Sequence, residues 1–562
     1  MSISQNYPLT SPSLSLDFAN TKALDPRITF SRPTSAVYYD GQTVTKAEEN
    51  LLTYSEDVSQ AVWTTNVSSK GLVAGTNPLG VSQNISRVTA SGAGRGIQQA
   101  RANTGTFALS VWLRSVSGSG NASILLTGIT DSGYFAITSD WVRYTLTGTG
   151  TLNDVRFLAE LSGDVFEFWG AQLEQRDTVT AYTPTTTQPI TNYIPTLLTA
   201  PANEARFDHN PVTGESLGLL VEEQRTNLVL RSEEFDNVAW TKSNATVTAD
   251  TIVAPDGTLT GDLLSVVSSG RSYILSLANT ASNTVLSGSI FVKAGNQNNV
   301  CLTTSIGNVG VRQWFNLATA TSGSAISLGG VKNSSEITSI GNDWYRISLS
   351  ITASAGTAQY LILDVVTGDN VLSGNSGDNV YIWGAQLEAG SFPTSYIPTV
   401  ASQVTRSADS ATMSGSNFSS WYSPAGGTMV IDTEKQPSNS YYVMMSNSSP
   451  QSAFITQRLN IDLTIISANL NVINVYQALA DTPRLQWAIS FSPTTIRESA
   501  NGSSIVSGSG AITTTFDRLS FGGFAWEVNG VGGGQAYGAT RISRFAYYPV
   551  RLSDTNLQAL TS

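Results

Sequence analysis

The sequence predicts an all-β chain: two tandem jelly-roll β-sandwiches, then a third β-sandwich that does not repeat them. Three observations predict it. The hexapeptide Trp169-Gly170-Ala171-Gln172-Leu173-Glu174 returns unchanged as Trp383-Gly384-Ala385-Gln386-Leu387-Glu388. Each copy leads into a Thr-x-Tyr-x-Pro-Thr tail, at Thr180 to Thr185 and Thr394 to Thr399. Short β-branched and aromatic runs are separated by Gly, Ser and Asn clusters, the punctuation of sandwiches.

The repeat opens as clearly as it closes. Asn50-Leu51-Leu52 through Trp63 matches Asn227-Leu228-Val229 through Trp240, an offset of 240 − 63 = 177. At the closing motif the offset is 383 − 169 = 214. Offsets that hold inside motifs and jump between them mark insertions between kept strands. The second repeat's extra length falls at 296–341 and 367–377, expected to be loops.

Residues 1–49 are too few for a core of their own. Residues 14–18 alternate like a strand, 25–32 read as a turn and then a strand, and 37–41 as a strand entering a turn, together an N-terminal arm or small sheet docked on something else. Residues 50–190 form the first module. Ser55-Glu56-Asp57 reads as a cap opening one helical turn, with Trp63 beneath it. Strands are expected at 107–114, 122–127, 134–138, 141–147, 156–161 and 165–173, a jelly-roll complement. Residues 191–226 read as a connector and 227–404 as the second module. Residues 405–562 form the third sandwich, with strands at 428–432, 440–445, 484–489, 517–523 and 542–548. A short helix capped by Ser553 closes it.

Composition excludes several function classes. Of 562 residues 13% are charged, about half the usual share. The balance of 30 basic against 41 acidic residues, 30 − 41 = −11, argues against a phosphate backbone, so no nucleic-acid partner is expected. No apolar run is long enough to span a membrane, and no membrane insertion is expected. The single cysteine, Cys301, excludes an internal disulfide framework and reads as a buried strand residue. With one histidine, His209, there is no His–His metal pair, and Asp208-His209-Asn210-Pro211 reads as turn chemistry. The acidic balance suits a structural Ca²⁺, yet no D-x-[DN]-x-[DN]-G loop is present; no other cofactor is expected. Met1-Ser2-Ile3-Ser4-Gln5 has neither a basic nor an apolar leader region, so synthesis in the cytoplasm without a signal peptide is expected.

Several segments resemble virion proteins of tailed bacteriophages. They are Leu16-Asp17-Phe18-Ala19-Asn20, Asp25-Pro26-Arg27-Ile28-Thr29-Phe30-Ser31-Arg32, Arg206-Phe207-Asp208-His209, residues 218–228 and the two Trp-Gly-Ala-Gln-Leu-Glu motifs. The repeats resemble carbohydrate-binding-module jelly rolls. Residues 405–562 resemble a laminin-G or concanavalin-A-like lectin domain, most strongly at Ile542–Tyr548 running into Arg551-Leu552-Ser553-Asp554. The resemblance implies a tail or head fibre or spike, attached by its N-terminus, that presents sandwiches to host-surface polysaccharide. It also implies a virion location, other virion proteins as partners, and a homo-oligomer, with a trimer favoured. Leu16, Phe18, Arg27 and Phe30 would then anchor the arm to the virion. A purely structural decoration or baseplate component is the alternative.

Sugar binding by such a surface stacks an aromatic face on a pyranose and bonds its hydroxyls. Tryptophans at matched positions (Trp63/Trp240, Trp141/Trp344, Trp169/Trp383) read as core. Repeat-specific or loop aromatics are the carbohydrate-binding candidates: Trp112, Tyr134, Tyr273 and Trp314, with Tyr442, Trp487 and Trp526 in the third sandwich. Glycoside hydrolysis needs a carboxylate pair. Asp131, Asp140 and Glu233-Glu234 show no spacing that marks one, so no enzyme is expected.

Overall fold

The computed structural model describes residues 10–65, 68–434, 441–446, 454–458, 462–466, 472–476, 484–509, 515–521, 527–528, 531–532 and 539–562. The chain is all-β and divides into two compact units. One is Val44–Ile194 with Thr248–Leu263; the other is Met1–Thr43, Pro195–Val247 and Leu264–Ser562. No helix among the described residues is long and apolar enough to cross a membrane.

The first repeat is built on two long antiparallel strands, Arg95–Ser117 and Val142–Ala159. Val165–Glu174 pairs with the first, and Asn121–Thr127 pairs with residues 154–159 of the second. A bulge between Leu152 and Asp154 falls at the change of partner, where extra twist bends the strand. Trp63, Phe107, Phe157 and Phe168 fill the core. Three of the six expected strands lie inside observed ones, those at 141–147 and 156–161 are the two ends of one strand, Val142–Ala159, which they overrun by one and two residues, and that at 134–138 shrinks to Phe135–Ala136. The hairpin Ser68–Thr76 and Ser82–Ala90 was not expected. Ser55-Glu56-Asp57 opens no helix: the segment is turns, entered through Tyr54 at φ +50°. Glu56 does not cap backbone but accepts the Tyr182 hydroxyl (3.2 Å).

The second repeat has the same frame in Tyr273–Ala294, Trp344–Val366 and Asn379–Ala389. Residues 296–341 are not a loop. They hold the strands Asn299–Ile306, Val309–Asn316, Thr321–Ser327 and Val331–Gly341, because Val300, Leu302, Val311 and Phe315 alternate into the core. Cys301 is buried in the first of these, and burial pushes its thiol well above the usual range.

The repeated hexapeptide is a clasp, and its Gln and Glu side chains are both committed to hydrogen bonds. Gly170 and Gly384 sit at φ +63° and +61° in a bulge of the closing strand. A Cβ there would lie 2.9 Å from the Trp112 or Phe291 ring. The Gln172 and Gln386 carbonyls accept Thr183 N and Ile397 N, both at 2.6 Å. The Glu174 and Glu388 carboxylates take N and Oγ1 of Thr180 and Thr394 at 2.9 and 2.6 Å. The Asn50 side chain donates to Ala171 O and Thr183 O, as Asn227 does to Ala385 O and Ile397 O. The motif thus ties each repeat's last strand to its first and to its tail, and buried polar groups so satisfied hold one conformation.

Residues 1–49 and 191–226 correct the expected domain plan. Leu14–Asp17 is a strand of the third sandwich, pairing Leu16 with Phe545. Ser216–Glu222 pairs with residues 539–542 of the same strand, Ala539–Tyr548, so the two segments lie end to end along one of its edges. Thr29–Ser31 pairs with Ser410–Ser414 in the opposing sheet. The third sandwich is therefore discontinuous, and the repeats interrupt it. Strand partners some 530 residues apart leave no local signal of the pairing.

A buried ionic cluster joins these distant segments. Arg32 Nη1 lies 3.0 Å from Asp409 Oδ1, and Arg206 Nη2 lies 2.6 Å from Asp409 Oδ2 and 2.9 Å from Glu222 Oε2. Arg406 Nη1 is 3.3 Å from Glu222. Burial disfavours the Glu222 charge, but Arg406 and Arg206 outweigh it and hold the carboxyl far below its usual range.

Candidate ligand-binding cavity

Within the larger unit, the segment Arg206–His209 borders a cavity of about 300 Å³. Asp208 and His209 line it with Tyr38, Phe291, Glu336, Arg346, Tyr396, Glu434 and Arg541. This volume is at the small end of ligand sites and fits one sugar ring or a similar molecule.

The strand carries Asp208 and His209 to the cavity wall because it is one of a pair. Arg206–His209 runs antiparallel to Ser216–Glu222, and Gly218 (φ +93°) lies so close to Ile542 that a Cβ would sit 2.1 Å from its carbonyl oxygen. Asp208 is saturated by the protein: Oδ1 accepts Tyr39 N at 2.9 Å and Oδ2 accepts Arg541 Nε at 2.6 Å. Arg541 also pairs with Glu434. Burial opposes the Arg541 charge, but Glu434 and Asp208 more than offset it, so its pKa stays above the ordinary guanidinium value.

Two nitrogens on the lining residues lack protein partners among the described residues. His209 is 2% exposed, and its Nδ1 donates to the carbonyls of Tyr39 (3.1 Å) and Phe207 (3.0 Å). That places a hydrogen on Nδ1 and leaves Nε2 with no partner among the described residues. Arg346 donates to Ser289 Oγ (2.9 Å) and Thr394 O (2.7 Å), while its Nε–H has no partner. Among the described residues no carboxylate forms an ion pair with Arg346, and burial lowers its pKa. Both nitrogens are themselves buried, so each is a polar group that the described residues leave unpaired, not one that lies open to the cavity. His209, expected as part of a turn, closes the strand instead; the turn begins at Asn210, whose Oδ1 accepts Val212 N. A histidine directly after a strand-like Arg-Phe-Asp was the signal available.

The sequence-derived carbohydrate candidates are scattered. Tyr134 is 47% exposed, with its ring open to solvent. Trp112 is half-buried, meets Trp169 and Tyr182 edge to face and is covered by the Arg143 guanidinium 4.5 Å from its ring. Tyr273 lies under Arg271. Trp314 and Trp487 are corrections: each is 2% exposed. The first donates to Val371 O and the second to Glu498, so neither has a face for a sugar. The Tyr442 side chain and Trp526 lie outside the described residues. Among the matched tryptophans, Trp63, Trp240, Trp169, Trp383 and Trp344 are buried; Trp141 is half-buried against Arg114.

Of the anchoring candidates, Leu16 and Phe18 are corrected by their burial. Leu16 and Phe18 are core residues of the third sandwich, and Phe30 packs against that core. Arg27 is held by Asp25 through Nε at 2.9 Å and Nη2 at 2.7 Å. Of the expected carboxylates, Asp131 accepts Ser123 Oγ, Glu233 accepts the Tyr396 hydroxyl and Glu234 pairs with Arg231. No group of three metal-ligating side chains occurs among the described residues.

No protein-family model and no curated protein matches the chain. Among solved structures, it is similar to the N-terminal CBM22-1-CBM22-2 tandem domain of Paenibacillus barcinonensis Xyn10C. That likeness covers 61% of this chain and 98% of that one, at 13% identity and a TM-score of 0.19. It is also similar to Trypanosoma rangeli sialidase in complex with the inhibitor DANA, over 89% of this chain and 99% of that one, at 8% identity and a TM-score of 0.20. Scores this low carry no argument, and the sandwich assignment rests on strand pairing.

Proposed function

We propose that this chain is a non-catalytic, glycan-binding structural protein of a tailed-phage virion, and that it takes a saccharide unit in the cavity beside His209 and Arg346. The observation that carries the binding reading is a cavity of about 300 Å³ lined by aromatic rings and by His209 and Arg346, each of which keeps one nitrogen unpaired among the described residues. Both nitrogens are covered, so the side chains must shift slightly before one sugar hydroxyl can bond to His209 Nε2 and another can accept from Arg346 Nε–H. Tyr38, Phe291 and Tyr396 supply apolar surface for its C–H face. Asp208 and Glu434 are both engaged by Arg541, and Glu336 accepts Thr338 Oγ1 at 2.8 Å, so the carboxylates at the cavity are committed to structural bonds rather than to acid–base work. The virion reading is supported by the segments that resemble phage fibre proteins and by the low-charge, all-β chain.

The test is a glycan array on the full chain, followed by calorimetry on any hit. Arg346→Ala is expected to abolish binding. Arg143→Ala is the control: Arg143 makes the same two bonds in the first repeat, to Ser110 Oγ at 2.9 Å and Thr180 O at 3.0 Å. Binding that survives Arg346→Ala, or that is lost on Tyr134→Ala instead, removes the cavity from the proposal. A chain that binds no glycan on the array supports the structural-decoration reading.

A further inference from the structure

The two repeats differ at one sheet edge, and the difference shows what that edge accepts. In the second repeat, residues 344–352 of the long strand Trp344–Val366 are covered by the inserted strand Val331–Gly341, with Ile347 opposite Ile337 and Ser350 opposite Ser334. The matching stretch of the first repeat lies in Val142–Ala159. Its offset is 344 − 141 = 203, so Tyr144 to Gly150 corresponds to Ile347 to Ala353. One side of that stretch pairs with Arg95–Ser117. On its other side the neighbour Asn121–Thr127 reaches only residues 154–159. Among the described residues no strand pairs with Tyr144–Gly150 on that side.

This edge also lacks every usual guard. Exposed edges are normally protected by charge, proline or a bulge. Tyr144-Thr145-Leu146-Thr147-Gly148-Thr149-Gly150 has no charge and no proline, and it pairs with its inner neighbour without a register shift. Thr145, Thr147 and Thr149 are exposed. In the second repeat the covering strand, where the sheet now ends, carries Lys332 and Glu336. One repeat therefore has its edge capped and charged, and the other has it bare over about 23 Å.

We infer that the edge Tyr144–Gly150 pairs antiparallel with the same edge of a second copy of this chain, across a two-fold axis at Thr147. The segment is complementary to itself under that operation. Thr145 of one chain faces Thr149 of the other, and Thr147 faces its own counterpart, so no like charges meet. The chain already uses this pairing internally: Thr149 Oγ1 lies 2.9 Å from Thr106 Oγ1, and Thr151 Oγ1 lies 3.1 Å from Thr104 Oγ1 across the inner strand pair. On the other face Ile129 and Thr130 lie over Gly148, leaving the threonine face outward. The inference is independent of sugar binding and of the cavity.

Sedimentation of the full chain tests it. The expected result is a concentration-dependent dimer, or an even-numbered assembly containing one. Thr147→Glu and Thr147→Lys each place like charges face to face on the axis and are expected to raise the dissociation constant at least about tenfold. An equimolar mixture of the two variants should restore association, since Glu then faces Lys. Circular dichroism and unchanged melting of each variant establish that both are folded. A wild-type monomer, a trimer, or a dimer untouched by either charge variant would overturn the inference.

Discussion

Arg206 Nη2 lies 2.6 Å from Asp409 Oδ2, both side chains are wholly buried, and the residues are 203 positions apart. Asp409 is shared with Arg32, while its backbone N–H donates to Glu222 O at 2.8 Å. Three segments that sequence keeps apart thus meet on one carboxylate. Asp409→Ala leaves three buried guanidinium groups with Glu222 alone. Breaking a buried pair typically costs about 3–5 kcal/mol because a charge is stranded, not because the pair itself is so favourable. The expected outcome is a loss of that size in guanidinium unfolding of the full chain. Arg497→Ala, which removes a pair to Asp554 exposed by 42% and 44%, should change stability by less than about 1 kcal/mol. Equal effects would show that the cluster has no special place in the fold.

A second buried acid works in the opposite sense. Glu498 is 1% exposed, and among the described residues its carboxylate accepts from Trp487 Nε1 alone, at 3.2 Å. Burial pushes its pKa up to about 8, against a smaller downward pull from the Trp487 hydrogen bond. The folded chain therefore holds a proton that the unfolded chain releases near 4.5. Between those values stability falls as pH rises, by at most roughly 1.4 kcal/mol per pH unit from this group, and levels off above the folded pKa. Glu222, whose pKa is depressed, contributes stability above 4.5 that is lost on acidification. Glu498→Gln keeps an acceptor for Trp487 and removes the proton. Its unfolding free energy should lose the downward slope between about pH 5 and 8, read from denaturant midpoints across that range. An unchanged slope would place the titration elsewhere.

The repeated clasp makes a matched pair of backbone predictions. Gly384→Ala must hold φ near +61° and brings a Cβ to 2.9 Å from Phe291 Cδ2. The left-handed backbone alone costs about 1–2 kcal/mol. Gly80 has φ +81° with nothing within 4 Å of its Cβ position, so Gly80→Ala carries only the backbone cost. Thermal melting should show Gly384→Ala and Gly170→Ala well below wild type, and Gly80→Ala between them and wild type. If all three melt together, the aromatic rings move aside freely and the clasp is looser than its hydrogen bonds indicate.

What could be read from the residues follows from the range of the interactions. The repeat was visible because its hexapeptide is local: Gly170 must be glycine and Glu174 must reach Thr180, six residues on. The capped terminal helix at Ser553 was equally local, its Oγ accepting Asn556 N at 3.3 Å. The role of residues 1–49 was not visible, since Leu16 meets Phe545 and nothing near Leu16 specifies that partner. The same holds for the cavity, where His209 and Arg346 come from segments with no shared motif. Aromatic type alone also failed to separate binding faces from core. Trp314 and Trp487 sit in strands whose neighbours bury them, a fact of pairing rather than of composition.

That separation gives a direct comparison between Trp487 and Tyr134. Trp487 packs in the third sandwich's core at 2% exposure and holds the Glu498 carboxyl by its indole N–H. Trp487→Ala opens a large void and strands a buried acid, so a loss of about 3–5 kcal/mol is expected, with cooperative unfolding of that sandwich at lower denaturant. Tyr134 is 47% exposed, and Tyr134→Ala should lie within about 0.5 kcal/mol of wild type. Any loss of glycan binding in Trp487→Ala would therefore track unfolding and vanish from the fraction that stays folded, whereas a loss in Tyr134→Ala would occur in a fully folded chain. Trp487→Ala with wild-type stability would mean that the indole is not part of the core, and would return it to the candidates for a sugar-stacking face.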